Sequence, residues 1–144
     1  MRLVYFPHTI LQVTVQSFTL PNVEVNPRNI TVDCLFCKIA SGTFPANIIY
    51  QDDNVIAFDD IAPKAPEHKI IIPRKHIATL NDINSDDTVL IGQMTQAAVS
   101  LAKSLNMAEA GYRTVMNCNA GGGQTVFHIH MHLLGGRQMT WPPG

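Results

Sequence analysis

The stretch "TVFHIHMHLLGG", residues 125–136, carries three of the chain's six histidines, at 128, 130 and 132, each separated from the next by one apolar residue. Side chains two apart on a β-strand share a face, so His128, His130 and His132 are predicted to form a row with about 6–7 Å between neighbours. Phe127, Ile129, Met131 and Leu133 then fall on the opposite face, as core. A strand over 125–134 is predicted, its histidine face turned away from the main core.

Working outward, "NCNAGGGQ" before this strand reads as a Gly-rich connection from another predicted strand, "YRTVMNC" (112–118). "CLFCKIASG" reads as a short helix stopped at Gly42. "NIIYQDDNVIAFDD" reads as a hairpin, with strands Ile48–Gln51 and Val55–Phe58 around an Asp-Asp-Asn turn. "PKAP" (63–66) is a stiff loop and "HKIIIP" (68–73) a buried strand ended by its proline. Ser85, with Asp86 and Asp87, is placed to start one long helix, an oxygen cap and acidic first turn favouring its positive end. Leu90, Met94, Ala97, Leu101 and Leu105 recur at helical spacing and define its core face. Short turns between neighbouring strands predict an α+β fold: a mainly antiparallel sheet, one long and one short helix, both helices on one side.

Residues 1–33 differ from the rest. They hold three prolines and almost no charge before Glu24, and Pro7 and His8 interrupt any signal-peptide apolar run. They read as an N-terminal extension, flexible or not native, ahead of a domain at 34–144. A composition of 46% hydrophobic and 15% charged residues is that of one folded domain rather than a disordered chain. The net charge of −1 excludes a global field for nucleic acid, and no apolar run approaches a membrane span, so neither partner is expected. Three cysteines build no secreted disulfide framework; a reducing, cytoplasmic setting is the expectation.

Alternating imidazoles can ligate zinc, or act on an anionic electrophile as nucleophile and hydrogen-bond donors. The neighbouring glycines favour the second reading, because they let backbone N–H groups approach a phosphate. Asn117 and Thr125 add neutral donors. Cys34-x-x-Cys37 supplies half of a four-ligand zinc site, or else two reduced cysteines beside a helix.

"GGGQTVFHIHMHLLGGRQMTWPPG", with its His-x-His-x-His row, resembles the histidine triad (HIT) superfamily. "IIYQDDNVIAFDDIAPKAPEHKIIIPRKH" and "LLGGRQMTWPPG" are similar to its Hint branch, the purine nucleoside phosphoramidases. The resemblance covers residues 34–144. It implies hydrolysis of the P–N bond of adenosine and other purine nucleoside 5′-phosphoramidates, with His130 as nucleophile and a nucleotidyl-histidine intermediate. His132 and His68 would bind the phosphate and hold His130 in its reactive tautomer, His128 would support the row, and Thr125 would assist the leaving group. Asp60 would take the ribose hydroxyls. Leu35, Phe36, Ile39, Phe44, Phe58 and Ile61 would form the purine slot, which without the resemblance reads as ordinary core. Asn117, Gly123, Thr125 and Val126 would line the phosphate side.

No cofactor is implied for catalysis, but a structural zinc on Cys34, Cys37, His76 and His128 is. The resemblance also implies a homodimer with one continuous sheet through the "GYRTVMN" strands, and a Trp141 tail reaching the partner's site. Two departures stand out: Thr125 where many relatives have serine, and Asp59 where histidine is common. A dinucleoside polyphosphate hydrolase is the rival enzyme. A nucleotide-binding or protein-interaction module with incidental hydrolysis is the rival of another class.

Overall fold

The computed structural model describes residues 33–143, so the reading of the N-terminal extension lies outside the described residues. The chain runs α1 (Leu35–Ala40), β1 (Ile48–Gln51), β2 (Val55–Asp59), β3 (Glu67–Pro73), α2 (Thr88–Ser104), β4 (Arg113–Val115) and β5 (Met131–Gly135). The strands form one antiparallel sheet in the order β1-β2-β3-β5-β4. The α+β class and the antiparallel sheet are as the sequence predicts. Among the described residues no helix is long and apolar enough to cross a membrane.

Local chemistry sets the first half. The β1–β2 turn closes because the Asp52 carboxylate accepts from the backbone N–H groups of Asn54 (2.8 Å) and Val55 (2.7 Å). α1 stops where Gly42 adopts φ 75°, a left-handed conformation that favours glycine. The start of the long helix differs from expectation. Ser85–Asp87 forms a 3-10 turn, and it is the Asn84 side chain that accepts from Asp86 N–H while Asp87 reaches back to Asn84 N–H. The regular helix begins only at Thr88.

Strand alternation builds two apolar layers. Val55, Ala57, Ile71, Ile129, Met131 and Leu133 face α2 and pack with Met94, Ala97, Ala98, Leu101 and Ala102. Leu90 and Leu105 flank that cluster, partly buried. Ile56, Phe58, Ile70 and Ile72 point the other way and pack under α1 through Phe36 and Ile39. The two helices therefore cover opposite faces of the sheet, correcting the expectation that both lie on one side. A sheet whose β2 and β3 are buried on both faces needs a cover on each.

The predicted strands at 112–118 and 125–134 are also shorter in fact. β4 pairs with β5 over only three residues, and residues 125–130 make no ladder. His128 N–H bonds back to Val126 O (2.9 Å) and Ile129 N–H crosses to Ile77 O (2.7 Å), so the chain kinks before it enters the sheet. That kink leaves Phe127 53% exposed rather than in the core, while Ile129, Met131 and Leu133 are buried as expected.

Candidate functional site

β5 delivers His132 directly, paired across to Ile70, so the histidine row stands on the α1 face of the sheet. The row is not an open polar face: His128 is 0% exposed, His130 is buried, and only His132 is partly open. α1 roofs it. The Phe36 ring meets His130 edge-on with centroids 5.2 Å apart, and also touches His128 and Phe58.

Backbone partners decide the protonation of each ring. His130 Nδ1 lies 2.8 Å from the His128 carbonyl, which can only accept, so Nδ1 carries the proton and Nε2 keeps its lone pair. Lys64 N–H donates to His68 Nδ1 (3.1 Å), which places the His68 proton on Nε2. That N–H donates to His132 Nδ1 at 2.9 Å, with the Asp60 carboxylate 3.4 Å away as a second acceptor. His132 in turn carries its proton on Nε2. The neighbours thus produce a bare Nε2 on His130 beside a donating Nε2–H on His132, the two rings 5.0 Å apart. Burial, helped by the neighbouring His130 and His68, lowers the His132 pKa to about 4, keeping it neutral at physiological pH. Burial likewise lowers His68.

The Gly-rich connection is organised by a residue the sequence reading missed. Gln124 is buried; its carbonyl accepts from Asn119 N–H (2.8 Å), and its NH2 donates to Ala78 O (2.8 Å) and Val126 O (3.1 Å). An amide has both functions that a loop without a strand partner leaves unmet, and its place between a glycine run and an apolar stretch was the available signal. Gly123 adopts φ 84° against Asn117, whose Nδ2 lies 3.9 Å from where a Cβ would stand. Thr125 is exposed on the wall of a surface cavity of about 520 Å3, with Val126, Phe127, Leu35 and Ala78; His130 and His132 do not line it.

The apolar set divides. Phe36, Ile39 and Phe58 form a buried floor with Val126 against it, whereas Leu35, Phe44 and Ile61 are exposed, Ile61 completely. Asp60 sits at the mouth, one oxygen accepting from Ala62 N–H (2.7 Å) and the other facing His68. Asp59 is engaged elsewhere, by Lys69 (2.6 Å) and Asn47 (2.5 Å).

A family model described as the scavenger mRNA decapping enzyme C-terminal binding domain matches residues 33–141. A purine nucleoside phosphoramidase of Escherichia coli K12 is 48% identical over 107 residues, covering 74% of this chain and 90% of its own. The chain belongs to the histidine triad (HIT) family. A HIT family hydrolase from Legionella pneumophila, 58% identical, superposes with a TM-score of 0.77 over 78% of this chain and all of its own. A HIT-like protein of Synechococcus elongatus is 45% identical over 112 residues, 78% of this chain and 97% of its own. The HIT hydrolase relationship thus rests on both sequence and fold.

Within this HIT domain a second cluster lies behind the row. Cys34, Cys37, His76 and His128 each present one donor atom, all within 4.8 Å of one another. Sulfur-to-Nδ1 separations are 3.3–3.6 Å, and the two Nδ1 atoms are 3.3 Å apart. A tetrahedral ion with bonds of about 2.3 Å to sulfur and 2.05 Å to nitrogen would separate S from N by about 3.6 Å and N from N by about 3.3 Å. His128 Nε2–H donates to Pro73 O (2.8 Å), so its Nδ1 lone pair faces the cluster. Burial and Cys34 push the Cys37 thiol up to about 11, an environment that a dication would reverse. The donor set fits zinc, and Asp60, His68 and His132 do not make a comparable cage, because the His68–His132 hydrogen bond already uses their facing nitrogens.

Proposed function

We propose that the chain hydrolyses the P–N bond of purine nucleoside 5′-phosphoramidates, adenosine compounds included. The observation that carries the reading is the His130 Nδ1 hydrogen bond to the His128 carbonyl, which in the neutral ring leaves the Nε2 lone pair available as nucleophile. Nε2 attacks the phosphorus, a N–P bond forms to the imidazole, and the substrate P–N bond breaks. The amine departs with a proton taken up from solvent, and the water of the second step returns one. His132 Nε2–H, set by His68, donates to a phosphoryl oxygen as charge builds there. Water then cleaves the nucleotidyl-imidazole bond, giving the nucleoside monophosphate and free His130.

Asn117, the 119–123 backbone and Thr125 flank the phosphate, with the cavity beside Thr125 receiving the amine's substituent. Phe36, Ile39 and Phe58 take one face of the base, rimmed by Leu35, Phe44 and Ile61, and Asp60 takes the ribose hydroxyls. Cys34, Cys37, His76 and His128 hold zinc as a structural ion that supplies no reaction chemistry; metal analysis after purification without a metal-affinity step tests this. A homodimer through the free edge of β4 completes the proposal, with Trp141, 84% exposed, reaching the partner copy.

The test is hydrolysis of an adenosine 5′-phosphoramidate by wild type and His130→Ala, with diadenosine polyphosphate as the competing substrate. Turnover of the phosphoramidate that disappears in the variant is expected. Preference for the dinucleotide, or no phosphoramidate turnover by the wild type, sinks the reading.

A further inference from the structure

Helix α1 has two jobs in this fold. It is six residues long, far below the length at which a helix persists unaided, and among the described residues no side chain caps its N-terminal end at Cys34. Its C-terminal end is held by Arg74, which donates to Ala40 O at 2.8 Å. At the other end the two thiols of Cys34 and Cys37 are its attachment to the sheet side, through His76 and His128. The same helix puts Phe36 edge-on against the His130 ring and, with Ile39, supplies the buried wall of the apolar slot. His128 joins the two regions: its ring belongs to the thiol cluster and its carbonyl holds His130 Nδ1.

From this juxtaposition we infer that a metal ion on Cys34, Cys37, His76 and His128 controls nucleotide affinity, by docking α1 over the histidine row. The inference rests on the proposed nucleotide site, but it concerns binding and not turnover. With the ion in place, α1 is stapled at both ends, Phe36 closes over His130, and the purine slot exists before the ligand arrives. Without it, the N-terminal end of α1 is tied by apolar contacts and weak thiol–imidazole contacts alone, and part of the binding energy goes into holding the slot in shape. The two ligands are then linked. Whatever factor the metal contributes to nucleotide affinity, the nucleotide returns to metal affinity.

The experiment uses the full chain, with Zn2+ and adenosine monophosphate as probes. The monophosphate has no P–N bond, so its binding is read apart from catalysis. Calorimetry on zinc-loaded and chelator-stripped protein is expected to show affinity weaker by about tenfold on stripping, with Cys37→Ala behaving as the stripped wild type. Chelator competition is expected to show zinc held tighter by the same factor when the monophosphate is present. Hydrogen exchange is expected to rise on stripping within 34–41 and 128–130 while α2 stays protected.

Equal nucleotide affinity with and without zinc overturns the linkage, as does a protein that takes up no zinc. Loss of protection throughout the sheet and α2 also overturns it, since the ion would then be a general folding staple. Zinc-dependent monophosphate binding in a protein without phosphoramidase activity would leave the linkage standing and remove only the functional reading.

Discussion

His130 Nδ1 and the carbonyl oxygen of His128 stand 2.8 Å apart, and this one contact settles which nitrogen of the middle histidine faces outward. The carbonyl has no alternative role, so the ring is locked in the Nδ1–H tautomer. Nitrogen-15 NMR of histidine-labelled protein is expected to show the neutral form of His130 with Nδ1 protonated and Nε2 bare. An Nε2–H signature would remove the nucleophile from the scheme.

His68 acts one step further out. Its Nε2–H fixes the His132 tautomer from 2.9 Å, so His68→Ala leaves His132 free to reverse its donor and acceptor. The expected loss in kcat/KM is about 10–100-fold, the range for losing a partner that orients a functional histidine. A glutamine side chain at this position carries an amide N–H close to where Nε2 stands, so His68→Gln should recover part of that loss. Equal damage in both variants would show that ring packing, and not the donor, matters.

The His132 pKa, lowered from 6.5 to about 4 by burial, has a consequence for stability. The unfolded chain binds this proton more readily than the folded one, so unfolding takes up about one proton from solution at His132 near pH 5. Its contribution is fully present above pH 6.5 and is lost as pH falls towards 4. Melting temperature measured from pH 4 to 8 should decline across that window, and His132→Gln should flatten the slope. An unchanged slope in the variant would assign the titration to other groups.

Gln124 is expected to matter without touching substrate. Replacing it with alanine removes three hydrogen bonds and leaves Asn119 N–H and the carbonyls of Ala78 and Val126 to find other partners. A loss of about 1–3 kcal/mol is expected by denaturant titration, with a rise in KM as the 119–126 backbone loosens. A variant as stable as wild type would show that water replaces the amide at no cost.

Where an element is shaped by its own residues, the sequence predicts it closely. β1, β2 and β3 fall where their β-rich runs, the Asp-Asp-Asn turn and Pro73 place them, because each signal acts over a few neighbouring residues. The strands expected at 112–118 and 125–134 are too long for the opposite reason. Strand propensity there competes with non-local demands: Ile129 N–H is taken by Ile77 O, and among the described residues β4 lies at an edge with one partner. Phe127, which the same extended geometry puts in the core, is instead exposed. Within the site, the histidine row and the glycines are legible as types at a spacing. Gln124 is not, since its role depends on Ala78, 46 residues away.

The period-two pattern of "FHIHMHL" determined by itself that His128, His130 and His132 share one face and that Ile129, Met131 and Leu133 share the other, because alternation is a property of the extended backbone alone. It could not determine what covers the histidines. Only the tertiary structure laid α1 over them, put Cys34 3.6 Å from a histidine 94 residues away, and thereby divided three similar imidazoles into a member of the thiol cluster, a ring tied through Nδ1 to a carbonyl, and a ring whose Nδ1 accepts from His68. Those differences arise from the atom each ring nitrogen meets, and that is fixed by packing between distant segments.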